Sequence, residues 1–271
     1  MQLKIFCAWW GLDHLGLEGM IKKIKEKGYD GIECFIPSEE EERKELQYLL
    51  SKYKLDIIAH QFQAEGKTFE EFADSFRNHL ISASKFNPIK INSHTGKDFW
   101  SIEHNGKLID IAEDVERDFG IPIVHETHRG RFLYSASVSK IYMEKYVKLR
   151  INADFSHWVC VSESMLQDQN KTIELAIQRA DHIHARVGYE QGAQVPDPRV
   201  LDWQGHLDVF MFWWQSIVDR QNNEGKEYVT ITPEFGPPPY TFIDPYTKKP
   251  INDFFEINCW MKDYLRKNIK V

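Results

Sequence analysis

The sequence predicts a (β/α)8 barrel in which residues 1–271 form a single domain. Short apolar runs of strand type alternate eight times with stretches whose apolar residues recur at helical spacing, and most connections between them are short. A doubly wound open sheet is the competing architecture, but no strand is followed by a Gly-rich phosphate loop of the G-x-G-x-x-G kind. A chain of 271 residues also falls within the usual size range of closed α/β barrels.

The first four strand–helix units occupy the N-terminal part of the chain. Gly28 follows the first helical stripe and predicts the C-terminal end of that helix. The capping-box signatures Ser38-x-x-Glu41 and Thr68-x-x-Glu71 predict where the second and third helices begin. The predicted strands are residues 3–11, 31–37, 55–63 and 89–95, and the helical stripes are residues 17–24, 46–53, 69–76 and 108–115.

The fifth unit begins with residues 121–131, where a short apolar run leads into a dense cluster of titratable side chains. Pro122 fits the first residues of a strand, and Gly130 fits the turn that leaves it. The long connection 188–201 is rich in Gly, Gln and Pro, and we expect it to be an active-site loop. The other predicted strands are residues 149–159, 182–187 and 228–235, and the helical stripes of this half are residues 138–142, 173–180, 203–220 and 254–265.

The composition argues against a nucleic-acid-binding protein, a membrane protein and a disulfide-rich secreted protein. The net charge of −7 argues against a nucleic-acid partner, because such proteins usually present a basic face. No apolar stretch approaches the length of a signal peptide or a membrane span, so we expect a cytoplasmic protein with no membrane partner. The four cysteines never form a C-x-x-C pair and are typical of free thiols in a reducing compartment. The sequence leaves open whether the chain forms a homo-oligomer.

Strand periodicity predicts which side chains point into the barrel. The outer face of each strand must meet helices and is therefore apolar, which leaves the polar positions inside. These positions fall near the C-terminal ends of the strands, where barrel enzymes keep their catalytic groups. The predicted inward residues are Glu33, His60, Asn92, His94, Glu126, Asn152, Asp154, His182, His184, Thr232 and Glu234.

Three of these residues, Glu126, Asp154 and Glu234, are carboxylates that would meet at one barrel mouth. Their mutual repulsion would raise their pKa values unless a cation held them together. An oxygen-rich set with His184 as a nitrogen donor suits Mn²⁺, Mg²⁺ or Co²⁺ better than a structural zinc, although Zn²⁺ stays open. The sequence therefore predicts one divalent ion as cofactor.

On predicted strands five to eight this chain carries, in order, Glu126, Asp154-x-x-His157, His182-x-His184 and Glu234. This order resembles that of the xylose-isomerase-like barrel superfamily. That superfamily includes sugar isomerases, ketose 3-epimerases, inosose dehydratases and endonuclease IV. The resemblance implies that Glu126, Asp154, His184 and Glu234 are the metal ligands. It also implies that His157 lies beside the metal and contacts substrate.

The sequence departs from the ketose epimerases at two positions. Those enzymes carry a substrate-binding Glu where this chain has Phe132, and an Arg where it has Glu190. Arg186, Arg129 and Arg131 lie close by in sequence and are candidates to compensate, in particular for a substrate with an acidic group.

The resulting hypothesis is a metal-dependent isomerase or epimerase that acts on a small polyhydroxy carbonyl compound through a metal-stabilised cis-enediolate. Glu126 and Glu234 are expected to transfer the protons. The partner is therefore a sugar or a sugar-like small molecule. The expected substrate-binding residues are His157, His60, His94, Glu33 and Arg186.

Three alternatives remain open at the level of sequence. The first is an endonuclease IV-like phosphodiesterase with three zinc ions. That site needs an Asp-x-His after the seventh strand, where this chain has Asp197-Pro198-Arg199, and an arginine cannot ligate zinc. The second is an inosose-type dehydratase, which uses the same metal and enolate. The third is a non-catalytic sugar-binding barrel.

Overall fold

Eight parallel strands close into a barrel in chain order, with β8 pairing to β1. The computed structural model describes residues 1–271, and it confirms the predicted (β/α)8 fold class. None of its helices combines the length and the apolar character that a bilayer crossing requires. The strands are β1 (Gln2–Ala8), β2 (Gly31–Cys34), β3 (Asp56–Gln61), β4 (Lys90–Ser93), β5 (Ile123–Glu126), β6 (Ile151–Ala153), β7 (Ala180–Ala185) and β8 (Tyr228–Pro233).

Nine helices surround the barrel, and their apolar stripes pack against the outer face of the sheet. In the first helix, for example, Met20, Ile21 and Ile24 are buried in the main hydrophobic core. Burying such stripes is the dominant favourable term for a fold of this kind. The helices are α1 (Gly16–Glu26), α2 (Glu40–Tyr53), α3 (Phe69–Lys85), α4 (Ile102–Phe119), α5 (Ala136–Lys145), α6 (Phe155–Ser162), α7 (Asn170–Arg179), α8 (Gln204–Asn223) and α9 (Phe254–Asn268).

The two predicted capping boxes have different outcomes. The Thr68 hydroxyl accepts a hydrogen bond from the Glu71 backbone amide at 3.2 Å, so the predicted start of α3 is confirmed. Ser38 caps nothing, because α2 begins one residue later, with Glu39 at the N-cap and no side-chain cap bond. The Arg43 guanidinium instead donates to the carbonyl oxygens of Pro37 and Ser38 and holds this turn.

The predicted sixth strand, residues 149–159, is wrong beyond Ala153. Asp154 accepts a hydrogen bond from the Ser156 backbone amide and so turns the chain into α6. Phe155, Trp158 and Val159 lie at helical spacing, and all are buried. Polar and apolar residues alternate from Leu149 to Ser156, so the strand-like period of two continues past the point where the strand ends, which explains the error.

The barrel interior is closed at its N-terminal end by large or paired side chains. A Cβ atom on Gly31 would lie 2.4 Å from the Phe6 ring, so only glycine leaves room for this phenylalanine. Lys90 is buried near the same end and donates to the Thr230 hydroxyl at 3.1 Å. Polar side chains that point inward beyond this layer therefore open toward the C-terminal end of the barrel.

Two long connections leave the C-terminal ends of β7 and β8. The expected active-site loop, residues 188–201, packs against the connection 234–253, where Gln194 accepts from the Gly236 backbone amide at 2.7 Å and donates to Thr241. None of residues 188–201 lines the pocket described below. The connection 234–253 instead carries Tyr240 to the barrel mouth, and the sequence pattern had not singled it out.

Candidate active site

The strand ends bring the predicted site residues together at the C-terminal mouth of the barrel. Most of their side chains are buried, whereas His60 and His94 retain 15% and 13% of their side-chain exposure. Strand register places neighbours at the same level, with His60 beside Asn92 and His184 beside Thr232. The residues that meet here are Glu33, His60, Asn92, His94, Glu126, Asp154, His157, His184 and Glu234.

Glu126, Asp154, His184 and Glu234 form a buried cluster in which one donor atom of each lies within 4.8 Å of all the others. Three buried donor atoms in this cluster have no hydrogen-bond partner, namely Glu126 Oε1, His184 Nδ1 and Glu234 Oε2. Glu234 Oε2 nonetheless lies at ion-pair distance from His184 Nδ1, 2.7 Å, and from Arg186 Nη2, 3.3 Å. Glu126 Oε1 has no such contact, and buried carboxylates that converge with a histidine in this way fit a cation-binding site.

Glu33 holds the imidazole of His184 in place. Its Oε1 accepts from His184 Nε2 at 2.9 Å and from Asn92 Nδ2 at 2.9 Å, while Oε2 accepts from His182 Nε2 at 3.0 Å. The Thr232 hydroxyl also donates to Oε2, at 2.5 Å. Burial would raise the pKa of Glu33, but His184 and His182 outweigh it and hold the pKa well below its usual value. Both oxygens of Glu33 are therefore engaged, which leaves His184 Nδ1 as the nitrogen that faces the cluster.

Arg186 is fully buried against the same cluster. Its Nη2 forms an ion pair with Asp154 and lies 3.3 Å from Glu234 Oε2 and 2.8 Å from His157 Nε2. The ring of Tyr240 covers the guanidinium at 4.5 Å. Burial raises the pKa of Asp154 to about 6 even though Arg186 opposes the shift. Arg186 thus acts as a fixed counter-charge within the site.

His157 and His128 form an imidazole pair above Glu126, with ring centroids 3.9 Å apart. His157 Nδ1 has no partner, and His128 Nε2 lies 3.3 Å from the Tyr240 hydroxyl. Sequence reasoning missed both His128 and Tyr240. His128 carried a usable signal, because it stands two residues after Glu126, whereas no periodicity marks Tyr240 in its irregular connection.

His60 and His94 approach Glu126 from the side of β3 and β4. Their Nε2 atoms lie 3.7 and 3.2 Å from Glu126 Oε2, which also accepts from Asn92 at 2.8 Å. Burial, helped by the charge of His94, lowers the pKa of His60 to about 4, so His60 is neutral at pH 7. Burial would raise the pKa of Glu126, but the imidazoles of His94 and His184 hold it well below its usual value.

A pocket of about 430 Å³ leads from the barrel mouth to this cluster. One wall consists of the aromatic side chains Trp9, Trp10, Phe35 and Phe62. A volume of this size and a mixed apolar and polar lining are typical of a small-molecule site. The polar lining residues are Glu33, His60, His94, Arg131, Thr232 and Glu234.

A larger cleft of about 690 Å³ lies at the opposite, N-terminal end of the barrel. Two of its four arginines form ion pairs with acids of the cleft: Arg150 contacts Glu116 and Asp181, and Arg220 contacts Asp181 and Glu224. Barrel enzymes place their chemistry at the other end, and this cleft contains no comparable group of unpaired ligand atoms. The pocket at the mouth is therefore the candidate site.

The two departures from the ketose epimerases lie outside the pocket. Phe132 is buried in the core with its ring 4.9 Å from that of Tyr142. Glu190 is partly exposed and lies 3.1 Å from His206 Nε2. Neither position supplies a side chain to the pocket lining.

Comparisons with known proteins give matches only among solved structures, since no family model and no curated protein matches the chain. D-Allulose 3-epimerase from Methylomonas sp. superposes with a TM-score of 0.63 and 14% identity, covering 98% of this chain and 97% of that chain. A 3-keto-D-glucoside 4-epimerase from E. coli gives a TM-score of 0.60 and 12% identity over 97% and 100% of the two chains. A probable 3-DHS dehydratase from Bacillus anthracis gives 0.56 and 13% over 97% and 99%. These identities are low, so the matches show only that the chain shares the (β/α)8 barrel fold of these enzymes.

Proposed function

We propose that this protein is a divalent-metal-dependent isomerase or epimerase of a small polyhydroxy carbonyl compound. The observation that carries the proposal is the convergence of Glu126, Asp154, His184 and Glu234, whose ligand atoms lie within 4.8 Å of one another and are buried beside an open pocket. The epimerases of similar fold support the same chemistry as an analogy, because fold alone does not assign function.

The proposed ligands are Glu126, Asp154, His184 and Glu234. Burial would lower the pKa of His184, but Glu234, Glu33 and Glu126 hold it well above its usual value, so the cluster attracts positive charge of the kind that a divalent ion supplies. Asp154 is the least available of the four, because Ser156 and Arg186 already occupy its two oxygens. When bound, the ion supplies Lewis-acid polarisation of the substrate carbonyl and its neighbouring hydroxyl. Oxygen-rich ligation favours Mn²⁺, Mg²⁺ or Co²⁺, with Zn²⁺ as the further option.

Glu126 and Glu234 are the proposed proton-transfer groups. They lie at the ends of β5 and β8, so they border the pocket floor from different sides; Glu126 Oε1 has no partner, and Glu234 lines the pocket. One carboxylate takes the proton next to the carbonyl, and the other returns a proton to the resulting enediolate. His157, with its unpaired Nδ1, is the next candidate for this role.

Of the five residues expected to bind substrate, three are free to contact it and two are engaged within the protein. His60 and His94 line the pocket and are placed to bind hydroxyl groups, and His157 lies beside the proposed metal ligand Asp154 at 3.6 Å. Glu33 and Arg186 have their polar atoms engaged within the protein, so we now propose that they position His184 and Asp154 instead.

A phosphodiesterase with several metal ions is the second candidate function. Two further groups of potential ligands favour it, His60–His94–Glu126 and Glu126–His128–His157. Against it, Asp197 is paired with its neighbour Arg199 and makes no contact with the His128–His157 pair. The number of bound metal ions distinguishes the two functions.

The test is a screen of metal-loaded protein against free and phosphorylated ketoses and inososes in D₂O, with product read by NMR. An isomerase or epimerase incorporates deuterium at the carbon next to the carbonyl and forms a product of the same composition. A dehydratase forms a product that has lost water, and a sugar-binding barrel binds without exchange. Absence of any exchange with every compound that binds would contradict the proposal.

A further inference from the structure

Arg131 is a guanidinium at the pocket wall that no acid neutralises. It follows β5 and lines the pocket together with His60 and His94. Its one side-chain hydrogen-bond partner is His94 Nδ1, 3.4 Å from Arg131 Nη2, and no carboxylate lies within 4.0 Å. Burial lowers the pKa of Arg131, while Glu126 and Asp98 attract the charge only from beyond pairing distance.

The other two arginines near the mouth are not free to bind a ligand in the pocket. Arg186 is fully buried and already contacts Asp154, Glu234 and His157. Arg129 is exposed and lies over the ring of Tyr240 at 5.3 Å, outside the pocket lining. A partly buried guanidinium without a counter-ion is costly, so its retention at a pocket wall calls for a ligand that supplies the charge.

The surroundings of Arg131 favour an anionic ligand group. A guanidinium presents a planar fork that matches a carboxylate or a phosphate with two parallel hydrogen bonds. The aromatic wall of Trp9, Trp10, Phe35 and Phe62 makes this side of the pocket less polar than water, which strengthens a charge pair formed there. The acidic cluster at the pocket floor would repel such a group, so the anion belongs at the Arg131 end.

Only a short distance separates Arg131 from the acidic cluster at the pocket floor. His94 contacts Arg131 with Nδ1 and lies 3.2 Å from Glu126 Oε2 with Nε2, so one imidazole ring separates the guanidinium from the acidic cluster. A single monosaccharide unit spans a gap of this kind with its carbonyl at one end and an acidic substituent at the other.

We propose that Arg131 selects an acidic sugar, a polyhydroxy carbonyl compound with a carboxylate or phosphate group, as the substrate of this site. The part of this assignment that concerns the substrate's carbonyl rests on the proposed function. The part that concerns the substrate's acidic group depends only on Arg131 and the pocket wall.

The test is calorimetric binding of D-ketohexoses, their 6-phosphates and the corresponding ketohexuronates to the metal-loaded protein. The carboxylate or the phosphate series should bind roughly 10- to 100-fold tighter than the neutral series, as expected for hydrogen bonds to a charged group. Arg131→Gln should abolish this advantage and leave binding of the neutral sugars within twofold. Arg131→Lys should retain part of it, and the control Arg129→Gln should retain all of it.

The series that gains affinity identifies the anion. The proposal is overturned if the neutral sugars bind as tightly as both anionic series, if no anionic compound binds, or if Arg131→Gln weakens all three series equally. Deuterium exchange is read separately in the same samples. Binding that depends on Arg131 but gives no deuterium exchange contradicts the isomerase proposal alone. Deuterium exchange that is unchanged in Arg131→Gln contradicts the acidic-substrate proposal alone.

Discussion

At the scale of single residues, Glu33 sets the orientation of the proposed nitrogen ligand. Its carboxylate accepts from His184 Nε2 and thereby directs Nδ1 into the cluster. Carboxylate partners of metal-bound histidines fix the tautomer and increase ligand basicity. We expect Glu33→Gln to weaken metal affinity roughly 10- to 100-fold in competition titrations. The control Glu190→Gln, at a partly exposed ion pair, should leave affinity unchanged, and equal affinity in both variants would refute this role of Glu33.

Glu126 and Glu234 lend themselves to a paired test. Positioned acid–base groups contribute about 10²–10⁴-fold to rate. Glu126→Gln and Glu234→Gln should therefore each lower kcat at saturating metal by at least about 10²-fold. If the two groups act on separate steps, one variant retains deuterium wash-in at the substrate carbon without forming product. Near-wild-type turnover in both variants with metal bound would leave these residues as ligands only.

Lys90 provides a prediction about stability and pH that is independent of the metal site. Burial lowers its pKa from 10.5 to about 8. Below pH 8 the amine is charged in the folded and unfolded states, so the cost of burying the charge is fully present. Between pH 8 and 10.5 the folded state releases the proton first, and stability rises with pH by up to about 3 kcal/mol.

The variant Lys90→Met lacks this titration. The difference in free energy of unfolding between wild type and variant should therefore shift in favour of wild type from pH 8 to 10.5. Urea denaturation at a series of pH values measures it. A difference that stays constant with pH would show that Lys90 titrates normally in the folded protein.

At the scale of elements, Thr68 and Ser38 form a natural pair of test and control. Thr68 caps α3 and Ser38 caps nothing, although both precede a Glu three residues later. Thr68→Ala should lower the free energy of unfolding by about 1 kcal/mol, while Ser38→Ala should change it by a few tenths at most. Equal effects in urea denaturation would contradict the assignment of the cap.

Local patterns predicted the existence of the elements better than their ends. The two capping boxes are alike in sequence, but at the start of α2 the Arg43 guanidinium donates to the carbonyl oxygens of Pro37 and Ser38, and no such contact marks the Ser38 signature in sequence. The strand predicted at residues 149–159 is too long because the alternation of polar and apolar residues continues to Ser156, beyond the turn that Asp154 makes into α6. Tyr240 reaches the site through a long irregular connection, for which no local rule exists.

At the scale of the whole molecule, the alternation of strands and helices determines where the site lies. A closed parallel barrel brings all the strand ends to one mouth, so inward polar residues far apart in sequence must meet there. That geometry made the cluster of Glu126, Asp154, His184 and Glu234 predictable from periodicity and resemblance. The pairing of Arg186 and Glu33 within the cluster was not predictable, because it depends on side-chain positions across the barrel.

Elemental analysis of protein purified without chelators tests the central claim most directly. We expect one divalent ion per chain in the wild type and in Glu190→Gln, and its loss in Asp154→Asn and His184→Gln. Three zinc ions per chain would favour the phosphodiesterase instead. A wild-type protein that contains no metal yet turns over a sugar substrate at full rate would contradict the claim.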